Sequence, residues 1–271
     1  MKTALLIAGD SIRALLHHRL LLGLMLISLA VTVVFSILMS NFQHNVSADF
    51  LDRMTTNAPS GAPAMSEADK RKMRETMEQG SSMFQAMFYQ AASFGGSLVA
   101  LFIFSTAVTA EVRKGTIRVT LSKPVSRNQY LLGKYLGGVV VMMGYAFVTS
   151  SAILLFAGSQ GLSLSPAMKF APWLMFCRQL MLGSVAMLLS LFVHPLIACA
   201  LAFFAGNGFY SPYNPLYYLL PSYGLFNSFF QFLQGTMLTG KDVLWLTLYA
   251  LDFAAIMILF ALWRFRSKEL I

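Results

Sequence analysis

Residues of the types that perform catalysis are sparse in this sequence, and few of them stand in a known pattern. Gly235 to Lys241 matches the GxxxxGK pattern of phosphate-binding loops, but Asp242 follows where such a loop has Ser or Thr. The stretch also leads directly into an apolar run, so we interpret the match as a coincidence. Cys177 and Cys199 fall in separate apolar runs, which indicates neither a disulfide nor a zinc site. Asp252 is the one acid inside such a run, whereas aspartyl catalysis within a membrane needs two carboxylates within reach. The sequence therefore predicts no catalytic residues in this chain.

Methionines are frequent in residues 41–90, and their thioether sulfurs suit Cu(I). Met73 and Met77, however, form an i,i+4 pair typical of an apolar helix face, and a second such pair follows, which favours packing over a metal site. The same segment holds six of the eleven acidic residues, so we predict a solvated extracytoplasmic insert. Ser66 to Asp69 has the pattern of a capping box, from which a helix is expected to run toward the next apolar run.

The overall composition places the chain in a lipid bilayer. Hydrophobic residues make up 57% and charged residues 11% of the sequence, with a mean hydropathy of +0.65, which excludes an ordinary soluble enzyme. The formal charge of +9 is concentrated at the ends of apolar runs, as contact with lipid requires, so nucleic-acid binding is not expected.

We predict a single-domain, all-α membrane protein over residues 1–271, with six transmembrane helices, an N-terminal amphipathic interfacial helix and a structured cytoplasmic coupling loop. Runs of about 20 apolar residues, at ~1.5 Å per residue, cross a hydrocarbon core of ~30 Å. The predicted spans are Leu20–Ser40, Ala91–Ala110, Tyr135–Gly158, Ala171–Val193, a fifth that starts at Pro195 after a turn at His194 and ends near Gly206, and Val243–Trp263.

The interfacial helix is predicted over residues 1–19. Its expected apolar face consists of Leu5, Ala8, Ile12 and Leu15. Lys and Arg cluster at one set of span ends, and by the positive-inside rule this places both termini in the cytoplasm.

A basic island, Glu111 to Lys134, lies between the second and third predicted spans and holds six Lys or Arg and one acid. Gly115 and Pro124 are expected to break it into two short helices. Ser126 to Gln129 has the pattern of a capping box, which predicts the start of the helix that leads into the third span. Positive-inside bias explains the charges of this loop but not its Gly, Pro and capping residues.

At these residues the chain resembles the permeases of the type-two ABC exporter family. The first cytoplasmic loop of that family reads as an acid, then Gly-Thr, then Leu-Ser-x-Pro-Val-Ser-Arg, then Gly-Lys. The matching residues here are Glu111, Gly115, Thr116, Leu121, Ser122, Pro124, Val125, Ser126, Arg127, Gly133 and Lys134. The family often has a second acid before the Gly-Thr, and Arg113 and Lys114 stand there instead.

The resemblance implies that residues 111–134 form a coupling loop that rests on a separate ATP-binding-cassette ATPase subunit. That subunit would bind ATP and magnesium, so no cofactor is expected in this chain. The resemblance also implies a homodimer, or a heterodimer with a second permease, in a bacterial inner membrane, and an export direction. Uniformly apolar spans favour a lipid-like or amphipathic substrate. Two rival functions stay open, namely an ion-coupled secondary transporter and a non-transporting membrane scaffold.

The outer segment, residues 206–241, is rich in aromatic residues and proline. Its notable residues are Tyr210, Tyr213, Tyr217, Tyr218, Pro221 and Tyr223. An aromatic belt at the lipid headgroups accounts for this composition. The family resemblance implies instead an outer gate built from re-entrant helices, one of which is expected over Ser222–Leu233.

Arg178 and Asp252 are the two charges within predicted spans. Either charge at the centre of a span costs about 2.5–3.5 kcal/mol on the insertion scale, so both are expected to avoid lipid. We predict an Arg178–Asp252 pair that joins the fourth and sixth spans. In the alternative, Arg178 extends to the headgroups and a protonated Asp252 binds a hydroxyl or carbonyl group. A secondary transporter would use the same two residues for coupling.

Overall fold

The computed structural model describes residues 2–16, 22–23, 25–34, 37–38, 41, 67–113, 126–159, 169–207, 221–227 and 238–267. Its helices are α1 (Lys2–Leu16), α2 (Met25–Val34), α3 (Glu67–Arg113), α4 (Arg127–Ser159), α5 (Ala171–Ser190), α6 (Pro195–Asn207) and α7 (Gly240–Ser267). A short 3₁₀ helix, Tyr223–Phe226, lies between α6 and α7.

Within these residues all regular secondary structure is helical. In this described part of the chain four stretches are long and apolar enough to cross a membrane, namely Ala86–Glu111, Arg127–Leu155, Ala171–Ser190 and Gly240–Ser267. Two shorter apolar helices, Met25–Val34 and Pro195–Ala205, accompany them. The described residues therefore form the helical bundle of a multi-pass membrane protein, as the composition predicts.

Helix α3 joins the predicted insert to the predicted second span without a break. It has 47 residues, and at ~1.5 Å per residue it is about 70 Å long, more than twice the ~30 Å hydrocarbon core. The helix is described from Glu67, within the predicted start at Ser66 to Asp69. Ser66 lies outside the described residues, so its capping role stays a prediction.

Helix α5 is the centre of the bundle. It packs against α3, α4, α6 and α7, and 78% of its apolar stretch is buried, compared with 22% for α7. The exposed surface of α7 carries large apolar side chains, among them Leu248, Leu259 and Trp263. The two helices therefore differ in role, because α5 forms the core while α7 lies at the edge with one face against it.

The ring of Phe104 packs at the point where α3, α4 and α5 meet. Phe104 is fully buried on α3, between Gly138 of α4 and Gly183 of α5. A Cβ atom at Gly138 would lie 2.7 Å from the ring, and one at Gly183 would overlap it. Both glycines are therefore required for the close approach of the three helices.

The turn between α5 and α6 has the predicted position. The N–H of Phe192 donates to the carbonyl of Leu189 at 2.9 Å, and that of Ala198 donates to the carbonyl of His194 at 2.9 Å. Pro195 is the first residue of α6, where its missing N–H is not needed. Helix α6 is described as far as Asn207, and residues 208–220 lie outside the described residues.

Helix α1 packs against α4. Ala8 and Ser11 are buried, and a Cβ at Gly137 would lie 2.8 Å from the Ser11 Cβ. The glycine of α4 therefore admits a small polar residue, whose hydroxyl donates to a carbonyl of its own helix. Leu5, on the predicted apolar face, is 61% exposed. The interfacial location of α1 stays a prediction.

The predicted helix over Ser222–Leu233 is wrong as one continuous element. The 3₁₀ helix ends at Phe226, and Asn227 is extended, with φ −89° and ψ 100°. Its N–H donates to the carbonyl of Gly224 at 3.0 Å, which closes the last turn. Residues 228–237 lie outside the described residues.

Candidate functional site

The first candidate site lies where α3 ends and α4 begins. Glu111, in the last turn of α3, accepts a hydrogen bond from the hydroxyl of Tyr130 on α4 at 2.6 Å. The same carboxylate forms an ion pair with Lys134, one turn further along α4. Tyr130 is fully buried, and the Lys134 ammonium lies 5.7 Å from the centre of its ring. A single carboxylate thus holds two residues of the neighbouring helix.

These contacts join the two ends of the predicted coupling loop. Four of its predicted residues, Gly115, Thr116, Leu121 and Pro124, lie outside the described residues. The flanking ones, Glu111, Ser126, Arg127 and Lys134, are described. The ion pair between Glu111 and Lys134 therefore joins the end of α3, where the loop begins, to the first turns of α4, where the loop ends.

The start of α4 is fixed by the predicted capping box. The N–H of Gln129 donates to Ser126 Oγ at 3.3 Å, and the N–H of Ser126 donates to Gln129 Oε1 at 3.2 Å. The N–H of Tyr130 donates to the Ser126 carbonyl at 3.0 Å. This reciprocal pair confirms the predicted helix start. It also sets the helical register that brings Tyr130 to Glu111.

The C-terminal end of α7 completes this site. Arg127 Nη1 donates to the carbonyl of Arg266 at 3.1 Å, and Arg266 Nε donates to Asn128 Oδ1 at 2.9 Å. The ring of Phe265 stacks on that of Tyr130, with centroids 6.0 Å apart and an interplanar angle of 19°. We call the set Glu111, Arg127, Asn128, Tyr130, Lys134, Phe265 and Arg266 the loop-end junction.

Sequence reasoning missed the contribution of α7 to the loop-end junction. The sequence indicated only that the basic residues near the C-terminus of α7 orient the protein in the membrane. Nothing in their spacing predicts a contact with Asn128. The partners are separated by well over one hundred residues, so no local pattern could have revealed them.

The second candidate site surrounds Arg178. This residue is 6% exposed, and its Nη1 donates to Ser93 Oγ on α3 at 3.2 Å. Asp252, on α7, is exposed. The two charges thus have opposite environments, which disfavours the predicted pair, and their pairing stays a prediction.

Further polar side chains adjoin Arg178 within the bundle. Gln179 is fully buried on α5 beside Gly96 of α3, where a Cβ would overlap its amide nitrogen. Tyr145 of α4 lies on the other side of Gly96, and its hydroxyl is 2.5 Å from that of Ser28 on α2. Together with Tyr223, described below, these residues form what we call the buried polar layer: Ser28, Ser93, Tyr145, Arg178, Gln179 and Tyr223.

A comparison with protein-family models bears on both sites. The model of the ABC-2 family transporter proteins matches residues 7–270, almost the whole chain. The chain belongs to the ABC-2 transporter family. The resemblance stated from the loop residues is therefore confirmed over nearly the full sequence. No curated protein matches the chain.

Members of the ABC-2 family are membrane components of transport systems and are not themselves catalytic. In this ABC-2 protein the loop-end junction lies at the ends of the loop that carries the family motif. No group of His, Cys, Asp or Glu among the described residues is arranged to hold a metal ion.

The predicted outer gate is described at two of its residues. Pro221 and Tyr223 are both buried, whereas Tyr210, Tyr213, Tyr217 and Tyr218 lie outside the described residues. The 3₁₀ helix that contains Tyr223 packs against α5 and α6. The phenol of Tyr223 lies within the range of an electrostatic interaction with Arg178.

Helix α7 also contacts the 3₁₀ helix and the residue before it. The N–H of Ser222 donates to the hydroxyl of Tyr249 at 3.3 Å. The ring of Phe226 stacks on that of Tyr249, with centroids 6.3 Å apart. Pro221, Tyr223, Phe226 and Asn227 of the outer segment are thus buried where the 3₁₀ helix packs against the bundle.

Proposed function

We propose that this ABC-2 protein is the permease subunit of an ABC exporter, driven by a separate ATPase subunit that binds ATP and magnesium. The family match supports a membrane transport component, and the loop motif supports an ATPase as its partner. The permease works as a homodimer or as a heterodimer with a second permease. It lies in the plasma membrane, the inner membrane of a bacterium, with both termini in the cytoplasm.

The proposal includes six spans, of which α2 and α6 contribute to the first and fifth. The described helix α6 has 13 residues, or about 20 Å at ~1.5 Å per residue. This is less than the ~30 Å hydrocarbon core, so α6 by itself accounts for only part of a span. The apolar composition of both helices supports this count.

The observation that carries the proposal is the contact of Glu111 with Tyr130 and Lys134. An ATPase subunit that presses on residues 111–134 pushes on a loop whose two ends are fastened to each other. The force therefore moves α3 and α4 together instead of spreading the loop. Arg127 and Arg266 pass the same displacement to α7. A loop that served only to orient the spans would need none of these contacts.

The cargo is lipid-like or amphipathic. Large apolar side chains are exposed along α4 and α7, for example Phe147, Leu155 and Leu259. Such surfaces face lipid tails, and a cargo with an apolar portion can move along them. This assignment rests on the composition of the spans.

The test is to purify the full-length protein from its native membrane by an affinity tag and to identify the associated subunits. We expect an ATPase subunit in stoichiometric amount and a permease dimer. A monomer with no ATPase attached would overturn the proposal.

A matched pair of variants locates the contact with the ATPase. Glu111→Lys replaces the central carboxylate of the loop-end junction, whereas Asp10→Asn removes an exposed acid elsewhere on the protein. We expect Glu111→Lys to insert and dimerise but to hydrolyse ATP without moving cargo, and Asp10→Asn to behave as the unmodified protein. Normal transport by Glu111→Lys, or by a variant with bulky residues at Gly115 and Thr116, would reduce the loop to a topology signal.

A further inference from the structure

The buried polar layer contains hydrogen-bonding groups that the described structure does not use. Gln179 is fully buried and Tyr223 is 1% exposed. Within the described part of the chain, neither the amide nitrogen and oxygen of Gln179 nor the hydroxyl of Tyr223 has a hydrogen-bond partner. Polar groups buried in this way are destabilising, and the apolar environment of a membrane offers no water to satisfy them.

The fold makes space for these groups. Gly96 allows the Gln179 amide to lie against the backbone of α3, where any larger residue would collide with it. An apolar side chain at position 179 would fill the same volume without stranding an amide. The protein therefore carries a polar group at a position where packing alone favours an apolar one.

Arg178 gives the layer a positive charge. Its guanidinium is buried and donates to Ser93 of α3, one helical turn from Gly96, against which the Gln179 amide lies. Charged residues at membrane depth face the interior of a bundle and mark the path of a polar substrate group. A guanidinium, an amide and a phenol together offer several N–H and O–H donors, which suit the oxygens of an anion. A guanidinium can also bind a phosphate or carboxylate through two parallel hydrogen bonds.

We propose that Arg178, Gln179 and Tyr223 form a recognition site for the anionic headgroup of the cargo, a phosphate or carboxylate. This inference rests on the proposed transport function and narrows its substrate class to amphipathic molecules with an anionic headgroup. The 3₁₀ helix Tyr223–Phe226 covers the site in this structure. A headgroup therefore enters when that helix separates from α5, and Tyr223 then closes over it.

The experiment measures binding to the purified full-length protein in neutral detergent. The probes are dioctanoyl phosphatidylglycerol, dioctanoyl phosphatidylcholine and inorganic phosphate, and the readouts are the dissociation constant and the thermal unfolding midpoint. We expect phosphatidylglycerol to bind at least about tenfold more tightly than phosphatidylcholine, because a hydrogen bond to a charged group contributes about one order of magnitude in affinity.

Three variants make the result specific. Arg178→Gln and Gln179→Leu should each weaken phosphatidylglycerol binding about tenfold or more. Lys169→Gln, which removes an exposed charge just before α5, should leave it unchanged. Gln179→Leu should also raise the unfolding midpoint of the unliganded protein, because it removes an unpaired buried amide. This variant keeps the test valid even if Arg178→Gln fails to fold.

The outcomes are separable. Equal affinity for the two lipids, or a Gln179→Leu protein that is more stable and binds phosphatidylglycerol as before, overturns the proposal. If inorganic phosphate stabilises the protein as much as phosphatidylglycerol does, the site binds free anions. That result overturns the proposal that it recognises a lipid headgroup. If the unmodified protein purifies with its ATPase while the variants bind phosphatidylglycerol normally, the inference fails and the proposed function stands.

Discussion

The loop-end junction gives a quantitative prediction for Glu111. Replacing Glu111 by Ala removes the partner of Lys134 and leaves the Tyr130 hydroxyl without its acceptor. The side chains of Lys134 and Glu111 are 11% and 27% exposed, so solvent screens the ion pair in part and we assign it about 1 kcal/mol. A buried hydroxyl without a partner costs a further ~1–3 kcal/mol. The expected loss in the free energy of unfolding is therefore about 2–4 kcal/mol.

A double-mutant cycle separates these contributions. Tyr130→Phe removes the stranded hydroxyl but keeps the ring that stacks on Phe265, and should itself cost about 1 kcal/mol. The Glu111→Ala/Tyr130→Phe protein should then lose at least ~1 kcal/mol less than the sum of the single variants. The measurement is the unfolding free energy in mixed micelles, followed by tryptophan fluorescence. Cargo moved per ATP hydrolysed is measured on the same variants.

Two results would refute the reasoning. Strictly additive losses would mean that Glu111 and Tyr130 do not interact in the folded protein. A Glu111→Ala protein that is destabilised as expected, yet moves cargo at the normal ratio to ATP, would show that the junction stabilises the fold but does not transmit force. The first result tests the structure and the second tests its proposed use.

Three further predictions concern other parts of the chain. Gly183→Ala should lower the unfolding free energy by about 1–3 kcal/mol through overlap with the buried phenylalanine ring, whereas Gly144→Ala, in open space, should be neutral or slightly stabilising. Single cysteines at Ser60 and Ser126, with both native cysteines replaced, should react with an impermeant label from opposite faces, Ser60 from outside; reaction from one face would contradict the span count. Asp252→Asn should change the unfolding free energy by less than about 0.5 kcal/mol because the side chain is exposed, and a loss of several kcal/mol would restore the predicted buried pairing.

Features set by neighbouring residues could be predicted from the sequence. The capping pattern at Ser126 located the start of α4. Proline at position 195 marked the turn before α6. Each of these signals acts within a single turn of helix, so no knowledge of the fold is required to interpret it.

Features set by distant contacts could not be predicted in this way. The loop motif pointed to Glu111 and Lys134 but not to their ion pair, and it gave no reason to single out Tyr130. The apolar pattern of α1 likewise gave no sign of the contact between Ser11 and Gly137 of α4. The rotation of a helix about its axis depends on the shape of its neighbour, and that shape is absent from the helix's own sequence.

The buried polar layer shows the same limit more sharply. Arg178 was recognisable because a charge in an apolar run is unusual, and Asp252 was the natural partner by elimination. Gln179, which is neutral, gave no such signal. Its importance follows from Gly96, on a different helix, whose missing side chain leaves room for the amide. Sequence reasoning therefore singled out Arg178 but missed Gln179, the residue that reveals the unsatisfied hydrogen-bonding groups of this layer.

Helix α3 connects the two candidate sites. Glu111 lies near one end of it, and Ser93, which Arg178 contacts, is about 27 Å away at ~1.5 Å per residue. Displacement of Glu111 by the proposed ATPase subunit would move Ser93 as well, unless the helix bends first. The helix is most easily bent at Gly95–Gly96, because glycine pairs are common sites of helix bending. This pair lies directly beside Tyr145 and Gln179.

Both possibilities alter the buried polar layer. A rigid shift of α3 changes the 3.2 Å contact between Ser93 and Arg178, and a bend at Gly95–Gly96 moves the backbone against which Gln179 rests. Coupling between two sites is reciprocal in binding free energy. If ATPase engagement at the loop changes the affinity of the layer for an anionic headgroup, the headgroup must change the affinity of the ATPase subunit by the same factor. Measuring ATPase affinity with and without phosphatidylglycerol therefore tests the mechanical role of α3 without any transport assay, and equal affinities would show that the two sites act independently.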